Sequence, residues 1–222
     1  MKNEDNNLKF NLSFGYYKQE LLFGLASFCV HKNKKHLLCA EAGAGKTTLL
    51  EILAGLNREW QGEAGGQSPK EFGWGTSVTF LPSSPVLFGG KSVFKNIEYA
   101  FKVLKIKKPY SEKLNEVLKL FGLEEKAKVK AKKLDYLDKL KVSLARSYIK
   151  NADVLLIDDL FKNAPSEEEQ NKIWAEIKKL NLENKTIIMA INDKITPQID
   201  FDYFLKIENK KIIEEKVNNN AV

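Results

Sequence analysis

The sequence predicts an α/β fold, with a mostly parallel sheet flanked by helices. Three observations lead there. A short apolar stretch, HLLCA (His36 to Ala40), runs through a glycine-rich turn into the amphipathic segment TTLLEILAGL. A second apolar stretch, DVLLIDD (Asp153 to Asp159), ends in two carboxylates, at the strand end where open α/β sheets place their chemistry. A third, TIIMAI (Thr186 to Ile191), reads as the next buried strand and follows the helical segment SEEEQNKIWAEIKKL.

Taken in order, LKFNLSF (Leu8 to Phe14) alternates as a strand does, and LLFGLASFCV (Leu21 to Val30) is a second strand region. A Lys-rich turn leads into His36 to Ala40. Gln61 to Thr76 is glycine-rich and reads as a loop with room for a short hairpin. Ser77 to Pro82 is a strand ended by proline, and a helix resumes from about Val93. Ser111 to Leu123 is amphipathic, with Ser111 as its expected N-cap. Leu137 to Lys150 is a further helix. Ser166 and Glu169 have capping-box spacing ahead of a buried face of Ile173, Trp174 and Ile177. From Phe201 the chain reads as a terminal hairpin turning at Asn209-Lys210, and VNNNAV as a frayed tail.

The turn after His36 to Ala40 carries chemistry. Gly43 and Gly45 let the backbone bend with its N–H groups pointing inward. Thr47, Thr48 and Leu49 begin a helix whose positive end faces the same spot. Lys46 adds a full charge, and the Thr47 hydroxyl is suited to Mg²⁺. Against the pattern G-x-x-x-x-G-K-[ST], Gly45, Lys46 and Thr47 match, while Ala40 stands at the leading glycine. That exchange costs little while Ala40 keeps a negative φ. The run Ala40, Glu41, Ala42, Gly43, Ala44, Gly45, Lys46, Thr47, Thr48 is thus a candidate cradle for nucleoside triphosphate phosphates. Asp158 is suited to hold Mg²⁺, directly or through water, and Asp159 to orient or activate a water. Upstream, Tyr16 or Tyr17 is placed to stack on a base, or to lie on the surface as a strand-end ring.

Composition narrows the class. A chain of 222 residues is one domain, or a domain with a subdomain. No apolar run reaches membrane-spanning length, and MKNEDNNLKF lacks the apolar core of a signal peptide, so a cytosolic protein is expected. Cys29 and Cys39 sit in apolar segments and are expected to be reduced core residues. The net charge of +7 is spread among interspersed acids, with Arg58 and Arg146 the only arginines, and gives little support to nucleic-acid binding. The run KAKVKAKK (Lys126 to Lys133) reads as a solvated helix face.

The order of these parts resembles the nucleotide-binding subunit of ABC transporters, over nearly the whole chain. AEAGAGKTTLLEILAGL is similar to that family's Walker A segment and helix. FLPSSPVLFGGKSVFKNI resembles its Q-loop region, P-Q-x-x-x-L-F-x-x-x-S-V-x-E-N-I. VSLARSYIKNADVLLIDD resembles V-A-L-A-R-A-L-x-x-x-P-x-[VI]-L-L-L-D-E, the signature helix leading into Walker B. The resemblance implies one ATP-binding domain over residues 1–222, with an antiparallel β subdomain and a helical subdomain at about 92–150. It implies ATP and Mg²⁺ as cofactors and Tyr16, in Phe14-Gly15-Tyr16, as the base-stacking ring. It also implies a transmembrane transporter subunit as partner, head-to-tail pairing with a second ATP-binding chain, and a place at the cytoplasmic face of the membrane.

Several family positions are changed. The Q-loop glutamine falls on Ser83, the catalytic glutamate on Asp159, and the switch histidine on Asn192, which cannot carry a proton at neutral pH. The D-loop aspartate falls near Pro165. Counted back without a gap, L-S-G-G-Q falls on Leu134, Asp135, Tyr136, Leu137 and Asp138. Asp135 there would repel a partner's γ-phosphate by roughly 4 kcal/mol at about 4 Å and an effective dielectric near 20. The expectation is therefore an ATP-binding transporter subunit whose hydrolysis is weak or partner-dependent, with a heterodimer favoured over a homodimer. A non-hydrolysing regulatory or assembly subunit is the alternative. A soluble relative acting on nucleic acid or ribosomes is a further one, though no specific nucleic acid is expected.

Overall fold

The computed structural model describes residues 7–16, 20–192 and 194–217. Tyr17, Asp193 and the tail after Val217 lie outside them. The chain divides into two compact units. One gathers everything up to Phe80, Ala152–Asp159, and the chain from Glu183 onward; the other holds Leu81–Asn151 and Leu160–Leu182.

Among the described residues, the first unit contains two sheets. The smaller is antiparallel and pairs β1 (Leu8–Tyr16) with β2 (Glu20–Val30) on one side and β4 (Gln61–Ala64) on the other. The larger is built from β3 (Lys35–Ala40), β5 (Val78–Leu81), β6 (Val154–Ile157), β7 (Thr186–Ala190), β8 (Tyr203–Glu208) and β9 (Lys211–Lys216). Its order is β5-β6-β7-β3-β8-β9. β3 runs parallel to both β7 and β8, and β6 runs parallel to β7. Every residue of β6 and β7 is buried, which is why VLLI and TIIMA read as unbroken apolar runs. The antiparallel β8–β9 hairpin turns at Asn209-Lys210, as its sequence predicted. Both turn residues have positive φ, 49° and 61°, the conformation that a two-residue turn between right-twisted strands requires.

Helix α1 (Lys46–Leu53) packs on β3, β6 and β7. Leu49, Leu50, Ile52 and Leu53 are fully buried, so this short helix is apolar around most of its circumference. They share one core with Phe10, Phe28, Trp60 and Phe72 from the antiparallel side and with Leu38, Leu156, Ile188 and Leu205 from the parallel sheet. Phe10 stacks on Phe28 at 4.9 Å and meets Phe72 edge-on at 5.5 Å.

The second unit holds α2 (Val93–Val103), α3 (Ser111–Leu120), α4 (Tyr136–Lys150) and α5 (Glu167–Ile177). Helix α4 packs against each of the other three. The capping box at Ser166 and Glu169 forms in full, and Ile173, Trp174 and Ile177 are buried as their spacing predicts.

Four expectations are corrected. The stretch Gln61 to Thr76 is not all loop: Gln61–Ala64 adds a strand to β1. Its polar sequence hides it, and Gly62 explains it. At φ 110° this glycine lies so close to β1 that a Cβ would come within 2.0 Å of the Asn11 carbonyl oxygen. Ser111 is not an N-cap but the first helical residue. Tyr110 precedes it, its carbonyl accepting from the Leu114 N–H at 2.9 Å and its ring stacked on Phe101 at 4.8 Å. Lys126 to Lys133 is not an α-helix. It is a run of turns ending in a 3₁₀ turn at Ala131–Lys133, held by main-chain bonds from Ala131 and Lys132 to the carbonyls of Lys91 and Gly89. Cys29 and Cys39 form no disulfide among the described residues, and both are half-buried rather than deep in the core.

One buried polar residue anchors β3. The His36 ring accepts the His31 N–H at 3.0 Å and, through its other nitrogen, meets the Ile187 carbonyl at 3.3 Å. Burial pushes its imidazole down to about 4. The unfolded chain, with its histidine near 6.5, therefore takes up the proton first. Stability from His36 is complete above pH ~6.5 and falls by about 3 kcal/mol on the way down to pH ~4. His36→Phe keeps an aromatic ring and removes the titrating group. Urea unfolding from pH 7 to 4 should show that much less acid sensitivity in the variant than in the parent.

Candidate functional site

The parallel sheet delivers three sequence-predicted segments to one edge. β3, β6 and β7 all run the same way, so Ala40, Asp158 and Asn192 leave the sheet at their carboxyl ends. β7 lies between the other two, and the Leu38↔Ala190 and Ile157↔Met189 pairings set how far each strand extends.

Ala40 closes β3, and the loop turns through Gly43 at φ 81° and Gly45 at φ 101°, both in the region that favours glycine. Ala44 N–H bonds to the Glu41 carbonyl at 3.3 Å. Gly45 is the N-cap of α1, and no side chain caps this helix. The positive end of α1 is thus left open toward the loop. The Lys46 ammonium folds back over the loop, 2.5 Å from the Ala40 carbonyl oxygen and 3.2 Å from that of Glu41. Thr47, exposed, donates its hydroxyl to Asp158 Oδ2 at 3.0 Å. Asp158 is 2 % exposed. Ala40 through Thr48 and Asp158 are therefore brought together. A hydroxyl beside a carboxylate is an oxygen set that suits a hard divalent cation such as Mg²⁺. Among the described residues no group of three His, Cys, Asp or Glu side chains could hold a metal by itself.

The other candidates are placed differently. Asp159 is half-buried, one residue beyond Asp158. Asn192 is exposed, and its side chain accepts from the Lys194 N–H at 3.0 Å while its carbonyl accepts from Ile195. It is engaged in its own turn. Ser83 belongs to the second unit, and its carbonyl accepts from the Tyr136 hydroxyl at 3.1 Å. Tyr16 closes β1, with its side chain outside what is described, and Tyr17 lies outside the described residues. Pro165 is exposed just ahead of the Ser166 cap.

The segment Leu134 to Asp138 forms the start of α4. Asp135 is its N-cap and accepts from the Asp138 N–H at 2.8 Å. Asp138 is buried and ion-paired with Lys126. This helix start is occupied by its own carboxylates, the reverse of α1.

Sequence reasoning overlooked the side chains that fix the segment after Ser83. Asn96, fully buried on α2, accepts from Phe88 N–H at 2.9 Å and donates to the Phe88 carbonyl at 3.2 Å. Arg146 donates to the Val86 carbonyl at 2.9 Å, and its guanidinium lies 5.9 Å from the Phe88 ring centroid. An amide at an apolar position of an amphipathic helix was the available signal for Asn96.

A protein-family model described as ABC transporter matches residues 24–162, more than half of the chain. The chain belongs to the ABC transporter family. The methionine import ATP-binding protein MetN 2 of Bacillus cereus is 32 % identical over 184 residues, covering 78 % of this chain and 54 % of that protein. The molybdate/tungstate import ATP-binding protein WtpC of Thermococcus kodakarensis is 30 % identical over 145 residues, 62 % of this chain and 43 % of that one. The chain thus spans about half the length of the curated relatives it matches. Among solved structures, one titled as an ATP-binding subunit of an ABC transporter superposes with a TM-score of 0.74 at 17 % identity, covering 95 % and 90 % of the two chains. A bacterial Atm1-family ABC exporter with ATP bound gives 0.73 at 20 % identity, covering 93 % of this chain and 38 % of that one. These likenesses establish the ABC ATPase fold.

The Thr47–Asp158 bond has a measurable weight. Thr47→Val keeps the shape and removes the donor to a buried carboxylate, at a cost of about 1.5–3 kcal/mol. Urea denaturation at pH 7 should report a loss of that size.

Proposed function

We propose that this chain is the ATP-binding subunit of a membrane ABC transporter, with hydrolysis that is weak or dependent on a partner. The observation that carries the reading is the open helix start at Gly45 with Lys46 over the loop and Thr47 bonded to Asp158. The N–H groups from Gly43 to Thr48 would receive the phosphates. The Lys46 ammonium would exchange its loop carbonyls for phosphate oxygens, a gain in charge-assisted bonding. Thr47 and Asp158 would hold Mg²⁺, which supplies neutralisation of phosphate charge. Asp159 would orient the attacking water, one methylene short of the family glutamate. Ser83 and Asn192 would give little further help.

On this reading residues 1–222 work as one domain, with the helices of about 92–150 as its helical subdomain, at the cytoplasmic face of a membrane. No helix among the described residues is long and apolar enough to cross one. The reading pairs the chain with a transmembrane transporter subunit. Both curated relatives are named as import proteins, which favours import. Their cargoes differ, so none is carried over. Asp135, capping its own helix, supports a heterodimer in which a partner with an intact signature covers the ATP held at Lys46.

A second reading, ATP binding without turnover, is favoured by the local engagement of Asn192. Phosphate release by the protein reconstituted with its partners separates the two.

Lys46→Ala should weaken Mg-ATP binding about 10- to 100-fold by calorimetry. Equal affinity in variant and parent would sink the phosphate site. Restoring the signature, with Asp135→Ser, Tyr136→Gly, Leu137→Gly and Asp138→Gln together, should produce ATP-dependent dimers in sedimentation that the parent lacks. A parent dimer that forms only with ATP would refute the heterodimer argument.

A further inference from the structure

The amino ends of β6 and β7 border a cavity of about 410 Å³, and every residue that lines it belongs to the first unit. The candidate phosphate site lies at the opposite, carboxyl ends of the parallel strands, so it leaves this cavity unused. Three parts of the chain enclose it. They are the turn after β2 with Lys32 and Asn33, the segment ahead of β5 with Trp74 and Thr76, and the strand starts with Asp153 and Thr186. At about 30 Å³ for each water-sized group, the space takes roughly a dozen heavy atoms, within the range of small-ligand pockets.

Part of the lining is apolar. Val30 and Val154 are buried, and Trp74 adds ring surface, because its indole N–H is already engaged by the Leu53 carbonyl at 2.6 Å. The rim carries both signs of charge. Asp153 accepts the hydroxyls of Thr76 and Ser77 on Oδ2, the latter at 2.8 Å. These bonds hold its carboxyl below the usual carboxylate range, so it is ionised at neutral pH. Among the described residues nothing donates to its Oδ1. Lys32 is exposed, and its ammonium has no ion-pair partner among the described residues. One donor is buried. The hydroxyl of Thr186, 3 % exposed, accepts the Asn33 N–H at 2.9 Å, and its own proton goes to no acceptor among the described residues. A buried hydroxyl proton calls for an acceptor.

We infer that this cavity binds a free α-amino acid with a large apolar side chain. The ligand's carboxylate meets Lys32 and the Thr186 hydroxyl, its ammonium meets Asp153, and its side chain covers Val30, Val154 and Trp74. The polar groups are close neighbours. The Thr186 N–H bonds to the Asp153 carbonyl at 3.0 Å, and Asn33, next to Lys32, bonds to Thr186. Charge selects the class. A simple anion is opposed by Asp153 and a simple cation by Lys32, whereas a zwitterion pairs with both. An uncharged apolar molecule satisfies neither charge and leaves the Thr186 proton without an acceptor. Phenylalanine has the matching size.

The test is calorimetry on the full chain with L-phenylalanine and no nucleotide. Binding is expected with a Kd of about 1 mM or tighter. Phenylpropanoate, which lacks the ammonium, and phenethylamine, which lacks the carboxylate, should each bind about tenfold more weakly or worse. Lys32→Gln, at an exposed position, should unfold at the parent's urea midpoint and lose about tenfold in affinity for L-phenylalanine. Asp153→Asn should lose as much. In amide NMR the Asn33 and Thr186 N–H signals should shift during the titration, while those from Gly43 to Thr48 stay in place. No saturable binding up to ~10 mM overturns the inference. So does equal affinity in Lys32→Gln and the parent, equal affinity for either analogue, or shifts confined to Gly43 to Thr48. Because nucleotide is absent throughout, failure of the ATP reading leaves these outcomes unchanged.

Discussion

Parallel pairing of β3 with β7 on one side and β8 on the other is the constraint on which the candidate site depends. Parallel strands deliver their carboxyl ends to one edge, so the loop after Ala40 and the carboxylate after Ile157 leave the sheet together. Helix α1 then has little freedom. Leu49, Leu50, Ile52 and Leu53 are fully buried between the two halves of one core, which fixes the first turn bearing Lys46 and Thr47. The Thr47–Asp158 bond is the polar result of that apolar packing.

Two helix starts in this chain are used in opposite ways. Both carry the positive end of a backbone dipole. At α1 the cap is Gly45, which has no side chain to spend on the exposed N–H groups, and Lys46 raises the positive charge. At α4 the cap is Asp135, with Asp138 buried one turn on, so the dipole is answered within the chain. One end suits an external anion. The other is satisfied by the protein itself, and its neighbouring phenol reaches main-chain carbonyls instead.

The second unit shows how polar side chains fix a segment that forms no regular structure. The carbonyls of Ser83, Val86 and Phe88 receive bonds from Tyr136, Arg146 and Asn96 respectively. The backbone of this loop is thus bonded by side chains from α2 and α4 rather than by a strand or helix ladder. Asn96 does so from full burial, where an amide persists because both its carbonyl and its amino group are engaged.

The sequence by itself determined the class of fold, the glycine turn into α1 and the Asp158-Asp159 strand end. Each is encoded locally, in an apolar run, in glycines where the backbone must turn, or in a capping pair three residues apart. It also determined the hairpin at Asn209-Lys210, for the same reason. Tertiary structure decided what depends on contacts distant in the chain. Strand β4 was hidden because QGEA is chosen for the approach of Gly62 to Asn11, not for alternation. The insertion of β7 between β3 and β6 is a matter of sheet order, which no strand states about itself. The Lys-rich run before α4 folds as turns because its main chain bonds to Gly89 and Lys91, overriding any helical pattern. The double contact of Tyr136 required three segments to converge on one oxygen, and residues 83, 136 and 160 meet only when the second unit has folded.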